Sequence, residues 1–129
     1  HLYGSWSNPV RPFRLLPGLL EIPPSASAFG PLRVPYGGGF YFRLYPSWLT
    51  QRLIERDLRT RKTPIAYFHP WDFEAQQARM ESGPLYRFIG NFNAGATWDR
   101  FKQLLERHET TSVVDLSRQL ADVSGNVAE

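Results

Sequence analysis

Pro64-Ile65-Ala66-Tyr67-Phe68-His69-Pro70-Trp71-Asp72 is a short apolar run that stops on a histidine, a proline, a tryptophan and an acid. It is too short for a helix and rich in aromatics, which predicts a buried strand over 64–69. Pro70 has no amide hydrogen to continue a ladder, so the strand is expected to finish at His69 with its imidazole aimed out of the sheet edge. Active sites of α/β folds lie at such strand ends. The same spacing fits a hydrogen-bonded strand-end histidine with Trp71 as a lid over the core, since His-Pro-Trp-Asp alone is not diagnostic.

Upstream, Pro46 suits the first turn of a helix, and Leu49, Leu53, Ile54 and Leu58 return at helical spacing, predicting a helix to about Thr60 whose other face (Arg52, Glu55, Arg56, Arg59) is solvated. Helix followed by buried strand is an α/β unit. Before it, Gly37-Gly38-Gly39 leads into Phe40-Tyr41-Phe42-Arg43. The glycines permit positive φ or close backbone approach, and they read either as a flexible turn or as a binding loop. They lack the spacing of a dinucleotide loop and the Lys-Ser/Thr of a phosphate loop. Leu19 to Ile22 is a short strand whose sole charge, Glu21, faces solvent or meets a partner in a cleft. Residues 1–17 are expected to be an irregular loop and 25–35 loop-like, with Leu32-Arg33-Val34 extended.

Downstream, 72–96 is a long excursion with a helical turn near Leu85–Phe88. Thr97 is placed as the N-cap of a helix to His108, with Phe101, Leu104, Leu105 and His108 on one face. Thr111–Val114 reads as a strand, Asp115 as the cap of a last helix through Asp122, and 124–129 as a frayed tail after a unit spanning 1–123.

The chain has 129 residues, 42% of them hydrophobic and 15% aromatic, enough for one core and for surfaces that stack on flat ligands. Its net charge of +3 is dispersed along the chain, which argues against a nucleic-acid footprint. No cysteine is present, which excludes disulfides, thiolate metal sites and cysteine nucleophiles. No stretch approaches the ~20 apolar residues of a membrane span. His1, His69 and His108 are far apart with no His-x-x-x-His pair, so no metal site is expected within these residues. Of the parts a hydrolytic site needs, the chain offers one: His69 as an acid whose pKa Asp72 or Glu21 would set. An opening at His1 rather than Met marks the chain as an expected piece of a longer protein.

Taken together, Gly18-Leu19-Leu20-Glu21-Ile22-Pro23, the Gly37–Leu44 block, Ala66 to Asp72, and Arg87-Phe88 leading to Trp98-Asp99-Arg100-Phe101 resemble the C-terminal half of bacterial polysaccharide deacetylases. More narrowly, they resemble the branch associated with exosortase and exopolysaccharide loci. The resemblance implies the C-terminal portion of a distorted (β/α) barrel, incomplete in this chain and inactive alone. It also implies a divalent metal, usually zinc, held by an Asp and two His of the N-terminal half, together with that half and a polysaccharide substrate as partners. His69 then corresponds to the general acid of the last motif, and Tyr67 stands where the family has a leucine near the acetyl methyl. Glu21 lies near the fourth-motif acid, Trp71 would supply apolar wall, and Gly37, Gly38, Gly39, Tyr41 and Arg43 would line the cleft. A carbohydrate-binding module stacking sugars on Trp6, Tyr36, Tyr41 and Trp71 is the rival expectation, and a basic interaction domain is a second rival.

Overall fold

The structure is a computed structural model and describes residues 9–16, 19–60, 62–74 and 83–125. It is mixed α/β, with two small antiparallel sheets and five helices among the described residues. β1 (Phe13–Leu16) pairs with β2 (Leu19–Glu21), with Phe13 opposite Glu21 and the register shifting between Arg14 and Leu16. The expected loop over 1–17 therefore contains a strand after Pro12, where an apolar segment finds β2 as an immediate partner. β3 (Ala26–Phe29) and β4 (Leu32–Pro35) form a hairpin, Ser27 opposite Val34 and Phe29 opposite Leu32. Gly30 at φ +60° opens its two-residue turn, a position that suits a residue without a Cβ. Gly30-Pro31 is thus the turn signal that separates two strands where a loop is expected.

α1 (Gly39–Leu44) starts on the last glycine of the run and α2 (Ser47–Arg59) follows after Pro46, within a residue of the expected boundaries. α2 buries Thr50, Leu53, Ile54 and Asp57, whereas Leu58 is exposed. Its inward stripe thus ends on a carboxylate rather than a leucine. Asp57 is satisfied where it lies: Ser27 Oγ donates to Oδ1 at 2.9 Å, the Tyr36 hydroxyl to Oδ2 at 2.9 Å, and Lys62 Nζ stands 3.3 Å from Oδ1. These contacts fasten the hairpin to α2.

The segment 64–69 is extended but is no buried strand. One parallel bridge joins Tyr67 to Gly38, and Ala66 and His69 are exposed. Phe68 supplies the packing instead, edge-on to Phe42 and Phe101 at 5.1 Å from each ring centroid. Those rings join the core of Tyr36, Phe42, Leu53, Ile54 and Leu104.

α3 (Pro84–Asn91) and α4 (Thr97–Arg107) occupy the second half. Thr97 is the first residue of α4 rather than its cap. Fully buried, it donates its hydroxyl to Asn93 O at 3.3 Å, and Asn93 itself takes a left-handed backbone at φ 54°. α5 (Val113–Gly125) replaces the expected strand at 111–114. Its cap is Ser112, whose Oγ accepts the Asp115 N–H at 3.1 Å and donates to Asp115 Oδ2 at 2.7 Å. Val113 and Val114 are exposed, so their β propensity has no sheet to serve. The helix covers the first two residues of the expected tail, and 126–129 lie outside the described residues.

Burial, more than its bond to Asp57, pushes the Tyr36 phenol well above its usual value near 10. The unfolded chain releases that proton above pH ~10 while the folded chain keeps it. Tyr36 therefore contributes its full stabilisation below pH ~10, and this is lost at about 1.4 kcal/mol per pH unit above it. Tyr36→Phe should lower unfolding free energy at pH 7 by about 1–2 kcal/mol and make the alkaline decline shallower. Urea unfolding measured between pH 7 and 11 checks both, and an unchanged alkaline slope would contradict the assignment.

Candidate functional site

His69 is placed by two buried charges behind it. Pro70–Phe73 forms a single tight helical turn, begun by Pro70, whose lack of an N–H costs nothing at the start of a helix. Asp72 closes the turn in both directions: its Oδ2 accepts the His69 backbone N–H at 2.9 Å, and its own N–H donates to His69 O at 2.9 Å. Its other oxygen, Oδ1, accepts from Arg43 Nη2 at 3.0 Å in an ion pair with both side chains almost fully buried. Arg43 also donates from Nη1 to Gly90 O at 2.6 Å and from Nε to Gly39 O at 3.3 Å. One guanidinium thereby joins α1, the turn after His69 and the C-terminal end of α3, where exposed carbonyls favour a cation. Arg100 repeats the pattern from α4, donating from Nη1 to Arg43 O at 3.2 Å and from Nη2 to Tyr45 O at 2.7 Å.

The glycine run is explained by the same seam. A Cβ on Gly37 would overlap Ile65 O, one on Gly38 would press on the Tyr67 ring, and one on Gly39 would overlap the Asp72 carboxylate. Tyr67 N–H donates to Gly37 O at 2.8 Å, and Ser25 ties in from the side, its N–H donating to Ile65 O at 3.2 Å. The three glycines are neither a flexible turn nor an open loop. They let residues 37–39 lie against 65–72 at backbone distance.

On the outer side of this seam the His69 ring is exposed and stacks on Trp71, centroids 4.2 Å apart and planes at 15°. Tyr67 meets it edge-on at 5.8 Å. Trp71 remains 52% exposed. The result is an aromatic surface patch with an imidazole in it, carried on backbone that the Arg43–Asp72 pair holds.

The expected site residues divide accordingly. His69, Trp71, Asp72, Arg43 and Gly39 come together. Asp72 addresses the main chain of His69, so its role is to position that residue. Arg43 is 3% exposed, its guanidinium committed to Asp72 and to backbone carbonyls. Tyr41 is half-buried, its ring 5.6 Å from Phe40 and 6.1 Å from Tyr45. Glu21 is exposed in β2, the solvent-facing alternative, and makes no ion pair among the described residues. Of the aromatics expected to stack on sugars, Tyr36 is buried and bonded to Asp57, and Trp6 lies outside the described residues. The Asp57 cluster was not foreseen, although Thr50, Leu53, Ile54 and Asp57 share one helical stripe and a carboxylate on that stripe is a readable signal.

Among the described residues no three His, Asp or Glu side chains are grouped to hold a metal ion. The two fully buried carboxylates are each committed, Asp57 to hydroxyls and Lys62, and Asp72 to Arg43 and a backbone amide. The deacetylase resemblance places the ligands of its divalent metal in the N-terminal half, outside these residues. No described helix is long and apolar enough to cross a membrane.

The chain belongs to a family described as a domain of unknown function, DUF3473, whose pattern it matches over residues 1–118. No curated protein and no solved structure matches it.

Asp72→Ala would leave Arg43 buried without a carboxylate and should lower unfolding free energy by about 3–5 kcal/mol. The double variant Arg43→Met/Asp72→Leu, which removes both charges, should be less destabilised than Asp72→Ala alone. Denaturant unfolding of the two variants decides the matter: a loss under about 1 kcal/mol for Asp72→Ala would show that the pair does not hold this seam.

Proposed function

We propose that this chain is the C-terminal part of a metal-dependent polysaccharide N-deacetylase and supplies its general acid, His69. The observation that carries the reading is the His69 ring itself, exposed on the surface, stacked on Trp71, and carried on backbone fixed by a buried ion pair. A group that must deliver a proton at one point gains from such fixed backbone. In this reading the parallel bridge of Gly38 with Tyr67, with α1 and α2 between them, is one β/α connection of a distorted barrel completed by the rest of the polypeptide.

In this reading water adds to the N-acetyl carbonyl, and the C–N bond breaks to leave acetate and an amine. Protonated His69 donates to the departing nitrogen as that bond breaks, so the amine leaves neutral. Trp71 stacks one face on the imidazole and offers apolar wall to the sugar or the acetyl methyl. Metal ligands and the base that activates water would come from residues outside this chain, and no step here runs through them. The substrate would be an N-acetylated bacterial exopolysaccharide.

Assayed in its full natural polypeptide, His69→Ala should reduce acetate release from N-acetylated glycan by about 10²–10⁴-fold. The midpoint of thermal unfolding should stay within a few degrees of the parent, because the latch is made by the His69 backbone. Undiminished turnover would remove the acid assignment. Glycan binding without any acetate release from the unsubstituted protein would favour a non-catalytic stacking module built on Trp71.

A further inference from the structure

A concave site lies between α2 and α4, in a groove of 340 Å³ that includes neither His69 nor any residue latched to it except Arg100. Its volume is in the range of small-ligand sites. Arg52 reaches it from α2, and Arg100 and Arg107 reach it from α4, with Glu55 the sole carboxylate in its lining. Glu55 is itself 3.8 Å from Arg59, an exposed arginine outside the groove. The groove therefore holds an excess of cations.

None of the three arginines has a carboxylate partner among the described residues. Arg52 lies over the Trp48 ring at 5.4 Å, and Arg100 lies over Phe42 at 4.9 Å. The terminal nitrogens of Arg100 go to backbone carbonyls, and its Nε is buried without a partner. The Thr50 hydroxyl is likewise buried and unpartnered in the groove wall, and Thr50 as a whole is 2% exposed. Buried polar atoms left unbonded in a positively charged groove point to a ligand that brings acceptors. α2 adds to the field: it has thirteen residues, opens at the groove through Ser47, and carries no acid in its first turn.

The remaining walls narrow the class of ligand. Trp48 is 60% exposed, a flat apolar face beside two exposed cationic side chains, and Gln103 contributes an amide. A bare inorganic anion needs no indole, and a neutral sugar needs no arginines. We propose that this groove binds an acidic pyranose residue of a polysaccharide, the ligand class resting on the deacetylase reading above. The anionic group pairs with Arg52 and Arg107, the ring lies against Trp48, and ring hydroxyls reach Gln103. Arg100 is the fixed charge at the base, held by its bonds to Arg43 O and Tyr45 O. The site is independent of acid catalysis at His69 and would hold the chain on an anionic glycan whether or not that glycan is deacetylated.

Calorimetric titration of the full chain with an oligogalacturonate, a neutral oligosaccharide of equal length and inorganic phosphate tests this, with Trp fluorescence as a second readout. The acidic oligomer should bind at least about tenfold more tightly than the other two. Arg52→Gln/Arg107→Gln should weaken it about tenfold or more. Both side chains are exposed and outside the core, so the variant is expected to fold, and circular dichroism verifies this. Trp48→Ala should weaken the oligomer while leaving phosphate unchanged, which separates a sugar site from an anion site. Equal binding of neutral and acidic oligomers, absence of binding, or indifference to the arginine substitutions would overturn the proposal. Because the readout is binding, failure here leaves the His69 assignment standing, and loss of that assignment leaves the groove untouched.

Discussion

The pairing of Arg43 with Asp72 is the constraint on which the arrangement around His69 depends. Two charges with almost no solvent contact are costly to bury, and the cost is offset when their remaining hydrogen-bonding capacity is met. Here it is met by backbone: Gly39, Gly90 and Phe92 carbonyls for the guanidinium, and the His69 amide for the carboxylate. The pair therefore defines where three separate stretches of chain lie relative to one another. A hydrophobic contact in the same place would add stability without specifying that geometry.

Room for this pair comes from the glycines. Asp72 approaches α1 so closely that any side chain on Gly39 would collide with its carboxylate, and the same holds for Gly37 against Ile65. Phe68 and Phe42 then pack edge-on from the same two segments, so polar latch and aromatic core reinforce one seam. The outer side of that seam carries the stacked pair His69 and Trp71. Buried polar groups fix the backbone while the two rings remain at the surface.

What could be read from the sequence follows the strength of the local signal. α2 was legible because Pro46 and a clear apolar stripe agree, and α4 was legible to within a residue. The apolar run 64–69 gave the right path and the wrong structure, since a buried strand and an extended segment docked by one phenylalanine share the same composition. That His69-Pro70-Trp71-Asp72 ends the extended segment was visible, yet the direction of Asp72 was not. A carboxylate three residues after a histidine can face its ring or its amide, and the choice is made by Arg43, twenty-nine residues earlier. Residues 37–39 were ambiguous for the same reason, because a close approach is defined by the segment approached. Val113-Val114 misled through β propensity while Ser112-x-x-Asp115, a helix-start signal, stood beside it. The α2–α4 groove joins side chains about fifty residues apart and leaves no local pattern to read.

The central claim is that a surface histidine is carried on backbone as firmly held as the core, and amide hydrogen exchange at His69 measures this directly. The account predicts that the His69 N–H, bonded to a buried carboxylate, exchanges as slowly as amides in the middle of α2 although its own side chain is exposed. Exchange at the rate of an open surface loop, with α2 still protected, would contradict it.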